Sequence, residues 1–396
     1  MKYIRKFVKL VKSMAFYMLT WIYSLRYPMQ ENKVCFLSDV RDVMGGNLKS
    51  VYDYLEDKDY ERVVLFKGDR RIRRTKEQRK QLLYELTTSK YILLDDFSSA
   101  IAQMRVRKGQ EVVQLWHGPG AFKKFGWSRF DTGEKKKYFF HNLSKKYMPL
   151  GHKNYTKAIV SGSGITWCFA EAFAMKESQV KATGFPRMDV LQDKEYVKNK
   201  QKEFYSKYPE LQEKKILLFA PTYRGEKASE AYYDFSKLNL EQLYEDLHEE
   251  YVFIIKWHPS LYNNIAMGII EGPDFSKHKE FFLDFSEYRD INDLLLVCDC
   301  LITDYSSVIF DYVLLDKPIV YFTYDLSEYT EYGGRGLYFD FNEYVYGLVA
   351  CTQDELMQAV RSDNLMPEKR KIFYDKFMGE CDGHSTEKTC KWIFGE

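Results

Sequence analysis

Apolar and polar residues alternate along the chain in a pattern that predicts strands separated by helices. Short apolar runs bounded by polar or turn residues are typical of buried strands. Such runs lie at 34–37, 63–66, 91–94, 112–115, 158–160, 216–220, 252–256, 281–283, 300–303 and 318–322. Helix-length stretches lie between them, at 75–87, 166–175, 236–249 and 308–315. This order predicts an α/β protein with parallel sheets and helices on both faces.

Five of these runs precede residue 190 and five follow residue 214, and the segment between them, 193–215, is highly charged. We therefore expect two doubly wound, Rossmann-like domains that face a cleft. The first domain is predicted at 28–192. The second is predicted at 193–396, and the last helix of the chain is left free to cross back to the first domain.

Residues 1–27 predict a basic amphipathic helix. Apolar side chains recur at spacings of three and four on one face, and they are Ile4, Val8, Val11, Ala15, Met18, Ile22 and Leu25. Basic side chains fall on the other side, and they are Lys2, Arg5, Lys6, Lys9 and Lys12. Such a helix is typical of in-plane binding to a membrane surface. Its most apolar part, 14–25, is shorter than the roughly 20 residues that span a bilayer.

Two other interpretations of this helix stay open. One is an ordinary helix that packs on the rest of the protein, and the other is a signal peptide. No small-residue cleavage pattern follows Leu25, which disfavours the signal peptide.

Composition narrows the class of protein. Hydrophobic residues make up 45% of the 396 residues, which is enough for a sizeable core. The net charge of +2 argues against a nucleic-acid binder that depends on bulk positive charge. The seven cysteines form no C-x-x-C pair, so we expect neither a zinc site nor a disulfide framework, and a reducing compartment is the default.

Common cofactor motifs are absent from the sequence. Gly162 and Gly164 begin like a dinucleotide-binding loop, but Trp167 stands at the third glycine position. The chain contains no G-x-x-x-x-G-K-[ST] and no G-x-S-x-G segment. NAD-dependent enzymes, P-loop NTPases and α/β-hydrolases are therefore disfavoured.

Two histidines occupy equivalent positions, one in each half of the chain. The run 112–115 leads into Trp116-His117-Gly118, and the run 252–256 leads into Trp257-His258-Pro259. Ligands of open parallel sheets lie beyond the carboxyl ends of the strands. We therefore expect His117 and His258 to face each other across the cleft. The alternative is that both are structural histidines at strand ends.

A further strand end predicts a phosphate site. The run 300–303 leads into Thr303-Asp304-Tyr305-Ser306-Ser307, and a helix is predicted to follow. Hydroxyl groups and free backbone N–H groups at the start of a helix bind anions. The alternative is plain capping of that helix by Asp304 or Ser306.

Three more segments bring cations or hydroxyls to possible binding positions. Thr222 and Arg224 follow the run 216–220, Arg187 and Asp189 end the first half, and Ser385 opens the last helix. A guanidinium group matches diphosphate oxygens bidentately, so Arg187 and Arg224 suit such a ligand. Alternatively, Arg187 and Asp189 pair with each other across the domain junction.

These segments together resemble the CDP-glycerol glycerophosphotransferase family, the enzymes of wall teichoic acid synthesis. The resemblance runs from near Lys108 to the C-terminus, and the first hundred residues match only around Gly46-Asn47-Leu48-Lys49. It rests on Trp116-His117-Gly118, Gly184-x-Pro186-Arg187-x-Asp189, Ala220-Pro221-Thr222-x-Arg224, Lys256-x-His258-Pro259, Thr303-Asp304-Tyr305-Ser306-Ser307, Lys317-Pro318, Tyr324-Asp325 and Asp382-Gly383. The loop at 118–126 looks more like the primase branch, which adds a first glycerol phosphate.

The resemblance implies a GT-B architecture, with an acceptor-side N-terminal domain and a C-terminal domain that binds CDP-glycerol. It implies an acceptor saccharide linked to undecaprenyl diphosphate, and peripheral attachment to the anionic cytoplasmic face of a bacterial cell membrane. The family's two essential histidines would be His117 and His258. The implied donor-binding residues are Thr222, Arg224, Thr303, Asp304, Ser306, Ser307 and Ser385. The implied acceptor or interdomain residues are Gly118, Lys123, Arg187 and Asp189.

The implied reaction is attack of an acceptor hydroxyl on the β-phosphorus of CDP-glycerol, with release of CMP. His117 would take the hydroxyl proton, since histidine titrates near neutral pH. His258, Arg224 and the helix start at Ser306 and Ser307 would bind the diphosphate. No carboxylate cluster in the sequence requires a metal, and assistance by Mg²⁺ is left open.

Three alternatives remain. The first is transfer of ribitol phosphate or synthesis of a capsule polymer, and the second is a nucleotide-sugar glycosyltransferase of the same fold. The third is a membrane-bound lipid-binding module without activity, which the presence of both histidines disfavours.

Overall fold

The computed structural model describes residues 2–69, 72–129, 147, 151–225, 228–332, 336–362 and 365–395. The chain divides into two compact units. The first comprises Met1–Asp189 together with Lys376–Glu396, and the second comprises Val190–Asp375.

The described residues form twelve strands and fifteen α-helices. The strands are β1 (Gln30–Ser38), β2 (Glu61–Phe66), β3 (Ser89–Leu94), β4 (Glu111–Gln114), β5 (Lys157–Val160), β6 (Val180–Ala182), β7 (Lys215–Phe219), β8 (Tyr251–Ile255), β9 (Phe282–Asp284), β10 (Cys300–Thr303), β11 (Ile319–Phe322) and β12 (Leu348–Ala350). The helices are α1 (Lys2–Arg26), α2 (Gly46–Tyr54), α3 (Lys76–Thr88), α4 (Ser99–Gln103), α5 (Thr166–Phe173), α6 (Lys194–Lys207), α7 (Leu240–Leu247), α8 (Pro259–Ala266), α9 (Ile291–Val297), α10 (Val308–Tyr312), α11 (Leu326–Tyr332), α12 (Phe341–Tyr344), α13 (Gln353–Val360), α14 (Pro367–Phe377) and α15 (Ser385–Phe394).

Each unit contains one six-stranded parallel sheet. In the first unit the strand order is β2-β1-β3-β4-β5-β6, and in the second it is β12-β11-β10-β7-β8-β9. In each unit the first strand lies in the interior of the sheet. The next strands are added toward one edge, and the later strands are added toward the other edge. Because crossovers between parallel strands are right-handed, this reversal places helices on both faces. The prediction of two doubly wound α/β halves is therefore confirmed.

The order reverses at a topological switch point in each sheet. The switch point lies between β1 and β3 in the first unit, and between β7 and β10 in the second. Ligands of open α/β sheets bind beyond the carboxyl ends of strands at such points. The second sheet has the strand order of dinucleotide-binding domains.

The ten predicted strands are confirmed, and two more strands are present. The additional strands, β6 and β12, are three residues long, lie at sheet edges and bury only one residue each. β6 contains the exposed Lys181 and so carries no apolar run, whereas β12 is the apolar segment Leu348–Ala350, which the sequence analysis did not identify as a strand.

The predicted helix at 236–249 is shorter in the structure. Asn239 caps helix α7, since its side chain accepts a hydrogen bond from the N–H of Gln242, and a 3₁₀ turn precedes the cap at Phe235–Lys237. Local capping therefore sets this helix start.

Helix α15 belongs to the core of the first unit. Cys390 and Ile393 are buried among residues of β1, β3, β4 and α2. The Lys157 ammonium donates to the carbonyl oxygens of Trp392 and Ile393, at 3.2 and 3.3 Å.

Helix α1 contacts the first unit through one side and leaves its apolar face exposed. Leu10, Ser13 and Thr20 are buried, and the Thr20 hydroxyl accepts a hydrogen bond from the N–H of Arg105 at 3.0 Å. The exposed large apolar side chains are Ile4, Phe7, Val8, Val11, Met14, Met18, Leu19, Ile22 and Leu25. The helix thus packs on the protein, but not by its apolar stripe. Across the described ranges, no helix combines the length and the apolar character needed to cross a membrane.

Candidate active site

A strained turn at the end of β4 carries His117. Trp116 has a φ of +55°, in the left-handed region that a bulky side chain rarely adopts. The Gln114 side chain accepts a hydrogen bond from the N–H of Trp116 at 2.9 Å. Asn47, which is buried, donates to the carbonyl oxygens of Leu115 and Trp116, both at 3.0 Å. These side chains hold the turn in its unusual conformation.

The ring of His117 is exposed and lies beside Trp116, with ring centroids 4.3 Å apart. Its Nδ1 is 3.1 Å from the carbonyl oxygen of Asp95, at the end of β3. Because a carbonyl oxygen only accepts hydrogen bonds, Nδ1 must carry the hydrogen. In the neutral ring, Nε2 then has a lone pair and can accept a proton.

Asn47 also connects this turn to the segment that carries Arg187 and Asp189. Its Oδ1 accepts a hydrogen bond from the backbone N–H of Arg187 at 3.0 Å. Sequence reasoning did not assign a role to Asn47. The position of Asn47 directly after Gly45 and Gly46 was the signal in the sequence. Its hydrogen-bond partners could not be identified from it, because they lie 68 to 140 residues away along the chain.

Asp189 closes the start of helix α15. Its two carboxylate oxygens accept the backbone N–H groups of Ser385 and Thr386, at 2.8 and 2.7 Å. Ser385 is fully buried, and it lies in the first unit, whereas the other predicted donor-binding residues lie in the second. The structure therefore brings Ser385 together with Asp189.

The other residues predicted on the acceptor side or between the domains, Gly118 and Lys123, lie in the loop after His117. Gly118 is half-buried, and a Cβ atom there would meet no atom within 4 Å. Lys123 is half-buried in the same loop. Gly120, with a φ of +70°, donates its N–H to the buried hydroxyl of Ser161 at 3.0 Å, which fixes the loop to the end of β5.

Arg224 forms a buried network in the second unit. Its guanidinium pairs bidentately with Asp325, at 2.5 and 2.8 Å, and with Asp304 at 2.8 Å. It also donates to the carbonyl oxygen of Thr222 at 2.6 Å. Burial by itself lowers the pKa of Arg224, but the charges of Asp304 and Asp325 outweigh burial and raise the pKa overall. Four of its five N–H groups are engaged, so its main effect is to hold the ends of β7, β10 and β11 together.

Two other predicted residues belong to the same network. The Asp304 carboxylate, which is fully buried, accepts the N–H of Thr222 at 2.8 Å. The hydroxyl of Thr303, also fully buried, donates to the carbonyl oxygen of Ala220 at 2.7 Å. Asp325, which sequence reasoning mentioned only within the Tyr324-Asp325 pair, completes this framework.

Ser306 and Ser307 lie on the accessible side of the framework. Ser306 is half-buried and Ser307 is exposed. Ser307 stands at the start of α10, and its side chain makes no capping hydrogen bond. The Val308 N–H donates to the Ser306 hydroxyl oxygen at 3.4 Å and the Phe310 N–H donates to the carbonyl oxygen of Ser307 at 3.2 Å, so the two hydroxyl groups are the donors that this helix start offers to an anion.

His258 caps helix α8, directly after β8. Its exposed ring accepts, at Nδ1, the N–H of Ser260 at 3.1 Å. Nδ1 therefore carries no hydrogen, and in the neutral ring Nε2 must carry it. His258 thus presents an N–H donor, whereas His117 presents a lone pair. The ring of Tyr223 lies 4.7 Å from that of His258.

No metal centre emerges from this geometry. In the parts of the chain that the structure describes, no three His, Cys, Asp or Glu side chains are grouped as metal ligands.

Two doubly wound units of this kind make up the GT-B architecture of transferases, with polar side chains at the carboxyl ends of the strands. A model of the family described as CDP-Glycerol:Poly(glycerophosphate) glycerophosphotransferase matches residues 17–395. The chain belongs to that family, which confirms the resemblance found from the sequence.

The chain is similar in sequence to several teichoic acid enzymes, three of which are described here. A teichoic acid poly(ribitol-phosphate) polymerase of Bacillus spizizenii is 36% identical over 92% of this chain, which spans 56% of that protein's length. A teichoic acid ribitol-phosphate primase of the same organism is 34% identical, over 92% of both chains. A teichoic acid glycerol-phosphate primase of Bacillus subtilis is 31% identical, over 78% of this chain and 75% of that one.

A solved structure of the wall teichoic acid polymerase TagF has the same fold. It superposes with a TM-score of 0.72 over 99% of this chain and 97% of that one, at 23% sequence identity.

Proposed function

We propose that the chain transfers glycerol phosphate from CDP-glycerol to a hydroxyl of a lipid-linked acceptor and releases CMP, in the synthesis of teichoic acid or a related cell-wall polymer. Family membership supports the reaction class. The observation that carries the mechanism is the opposite hydrogen-bonding state of the two strand-end histidines, because one accepts a proton and the other donates a hydrogen bond.

His117 is the general base of the proposed reaction. The acceptor hydroxyl gives its proton to Nε2, while the hydrogen bond from Nδ1 to the carbonyl oxygen of Asp95 supports the positive ring that results. The acceptor oxygen forms a bond to the β-phosphorus, and the bond from that phosphorus to the bridging oxygen breaks. The electron pair leaves with CMP.

The second unit binds the donor. The Nε2–H of His258 donates to a diphosphate oxygen and stabilises the charge that develops on the departing CMP. The hydroxyls of Ser306 and Ser307 bind further oxygens. The buried hydrogen-bond network holds the strand ends next to these groups in place. Its members are Thr222, Arg224, Thr303 and Asp304. That the two units face a common cleft stays a prediction from the sequence.

Ribitol phosphate is the second candidate for the transferred group. Identity to the two ribitol-phosphate enzymes is 36% and 34%, against 31% for the glycerol-phosphate primase. CDP-glycerol and CDP-ribitol are therefore both tested as donors.

The experiment measures CMP release by the purified full chain. CDP-glycerol, CDP-ribitol and a UDP-sugar are each supplied with short-chain diphosphate-linked saccharide acceptors. We expect CMP release with one CDP-polyol and no UDP release. Turnover of the UDP-sugar instead would show a glycosyltransferase, and no turnover of any donor would indicate a binding module.

We also propose that helix α1 lies in the cytoplasmic surface of the membrane. Its exposed apolar stripe is flanked by Arg5, Lys9 and Lys12, which are exposed as well. Basic side chains next to an anionic surface each contribute about 1 kcal/mol, and apolar side chains that enter the interface add to this. The helix would keep the first unit near a lipid-linked acceptor.

A further inference from the structure

We propose that the carboxylate of Asp95 binds a hydroxyl group of the acceptor, next to the hydroxyl that His117 deprotonates. This inference rests on the proposed function and names one side chain of its acceptor site. Neither the sequence motifs nor the family resemblance singled out Asp95.

Asp95 lies where the first sheet is expected to bind a ligand. It follows the last residue of β3 directly, and β3 borders the topological switch point with β1. The backbone of the same residue contacts the ring of His117, since its carbonyl oxygen lies 3.1 Å from Nδ1. The base and this carboxylate therefore belong to one local structure.

One oxygen of the Asp95 carboxylate lacks a hydrogen-bond donor. Asp95 is only 1% exposed, and its Oδ2 pairs with the guanidinium of Arg41. Its Oδ1 is buried and accepts from no group in the described part of the chain. Leaving a buried acceptor unsatisfied is costly, and such cases in folded proteins usually mark a missing partner.

The chemistry of the missing partner follows from the atom that needs it. A carboxylate oxygen accepts hydrogen bonds, so the partner is a donor, and the ion pair with Arg41 fixes the orientation of the carboxylate. Hydroxyl groups are the donors that a polyol or saccharide acceptor offers in adjacent pairs. One hydroxyl on Asp95 would present its neighbour to Nε2 of His117.

Asp39, at the end of β1, provides a matched control. It also forms an ion pair with an arginine, from Oδ1 to Arg74 at 2.9 Å. Its Oδ2, in contrast, accepts the hydroxyl of Ser98 at 2.9 Å, so both oxygens are satisfied. Replacing Asp39 therefore breaks the same kind of ion pair as replacing Asp95, but it does not affect a carboxylate oxygen that lacks a donor.

The test compares Asp95→Asn, Asp95→Glu and Asp39→Asn in the full chain. Each variant is assayed for CMP release with the CDP-polyol that the wild type uses, against a concentration series of a short-chain diphosphate-linked saccharide. Donor affinity is measured separately by calorimetric titration. Asp95→Glu keeps the charge but displaces the oxygen, so it remains informative if Asp95→Asn does not fold.

We expect Asp95→Asn to raise the KM for the acceptor by roughly 10- to 100-fold, the effect of losing a hydrogen bond to a charged group. Asp95→Glu should raise it less, and donor affinity should stay within about threefold in both. Asp39→Asn should lower thermal stability and leave the acceptor KM unchanged.

An unchanged acceptor KM in the folded Asp95 variants would overturn the inference and leave the proposed function intact, because Oδ1 would then hold only a water molecule. An equal rise in KM for Asp39→Asn would overturn it too, since the effect would then be structural. Absence of CMP release by the wild type with every donor and acceptor would overturn the proposed function, and the inference with it.

Discussion

The loops that carry His117 and His258 begin with the same sequence pattern, but the two imidazole rings differ in which nitrogen carries the hydrogen. Each histidine follows a buried parallel strand and a tryptophan. In the first unit Nδ1 faces the carbonyl oxygen of Asp95, and in the second it faces the N–H of Ser260. The same two-residue motif therefore produces a proton acceptor in one unit and a hydrogen-bond donor in the other.

The residues next to each histidine explain the difference. Pro259 occupies the first position of α8, where its missing N–H costs nothing, and the N–H of Ser260 remains for the ring of His258. Trp116 turns with a positive φ, and the His117 ring is then directed to the neighbouring strand end. The lesson is that the backbone partner of Nδ1, more than the motif, sets the role of a strand-end histidine.

The largest expected effect is on turnover when the base is removed. His117→Ala should lower kcat by roughly 10²- to 10⁴-fold, the range for loss of a general base, while the affinity for the CDP-polyol changes little. Steady-state kinetics and calorimetry on the same preparation measure both. Near-normal turnover would remove His117 from the role of base.

The second effect should appear in donor binding. His258→Ala should weaken binding of the CDP-polyol by roughly 10-fold or more, because a donor to a charged oxygen is lost. Ser307→Ala should act in the same direction with a smaller effect. If calorimetry gives wild-type donor affinity for both variants and turnover is also unchanged, the diphosphate does not bind at this strand end.

A third prediction concerns the support of the His117 turn. Asn47→Asp removes the N–H donations to Leu115 and Trp116, so we expect about 1–3 kcal/mol less stability and a several-fold lower kcat. Asn154→Asp is the matched control, because Asn154 donates to the carbonyl oxygens of Ile101 and Met104 in the same unit. It should lose similar stability in thermal melts and keep its kcat. Equal kcat losses would mean that general destabilisation, and not the turn, is responsible.

Substitutions in helix α1 are expected to have the smallest effect on the reaction that the two histidines catalyse. Met18→Ser and Ile22→Ser change exposed side chains, so folding and turnover of a soluble acceptor should stay as in the wild type. Sedimentation with anionic vesicles should weaken by roughly fivefold per substitution, and high salt should weaken it further. Undiminished sedimentation of the double variant would place membrane attachment elsewhere.

Periodicity predicted the two doubly wound sheets and the strand-end positions of both histidines, because the burial of a strand and the alternation of strands with helices appear directly in the local pattern. The partners of those side chains were not predictable in this way. Asn47 contacts Trp116 across 69 residues, and Arg224 contacts Asp325 across 101. Ser385 illustrates the limit, since the sequence does not show that the carboxylate of Asp189 accepts its backbone N–H from 196 residues away.

The most direct test of the account is the protonation state of the two imidazole rings. Long-range ¹H–¹⁵N correlation spectra of ¹⁵N-histidine-labelled protein distinguish the two neutral tautomers, and spectra of His117→Gln and His258→Gln assign the signals. Above the titration range of the rings, we predict a hydrogen on Nδ1 of His117 and a hydrogen on Nε2 of His258. Finding the same tautomer at both positions would contradict the proposal that His117 acts as the base while His258 donates a hydrogen bond to the phosphate.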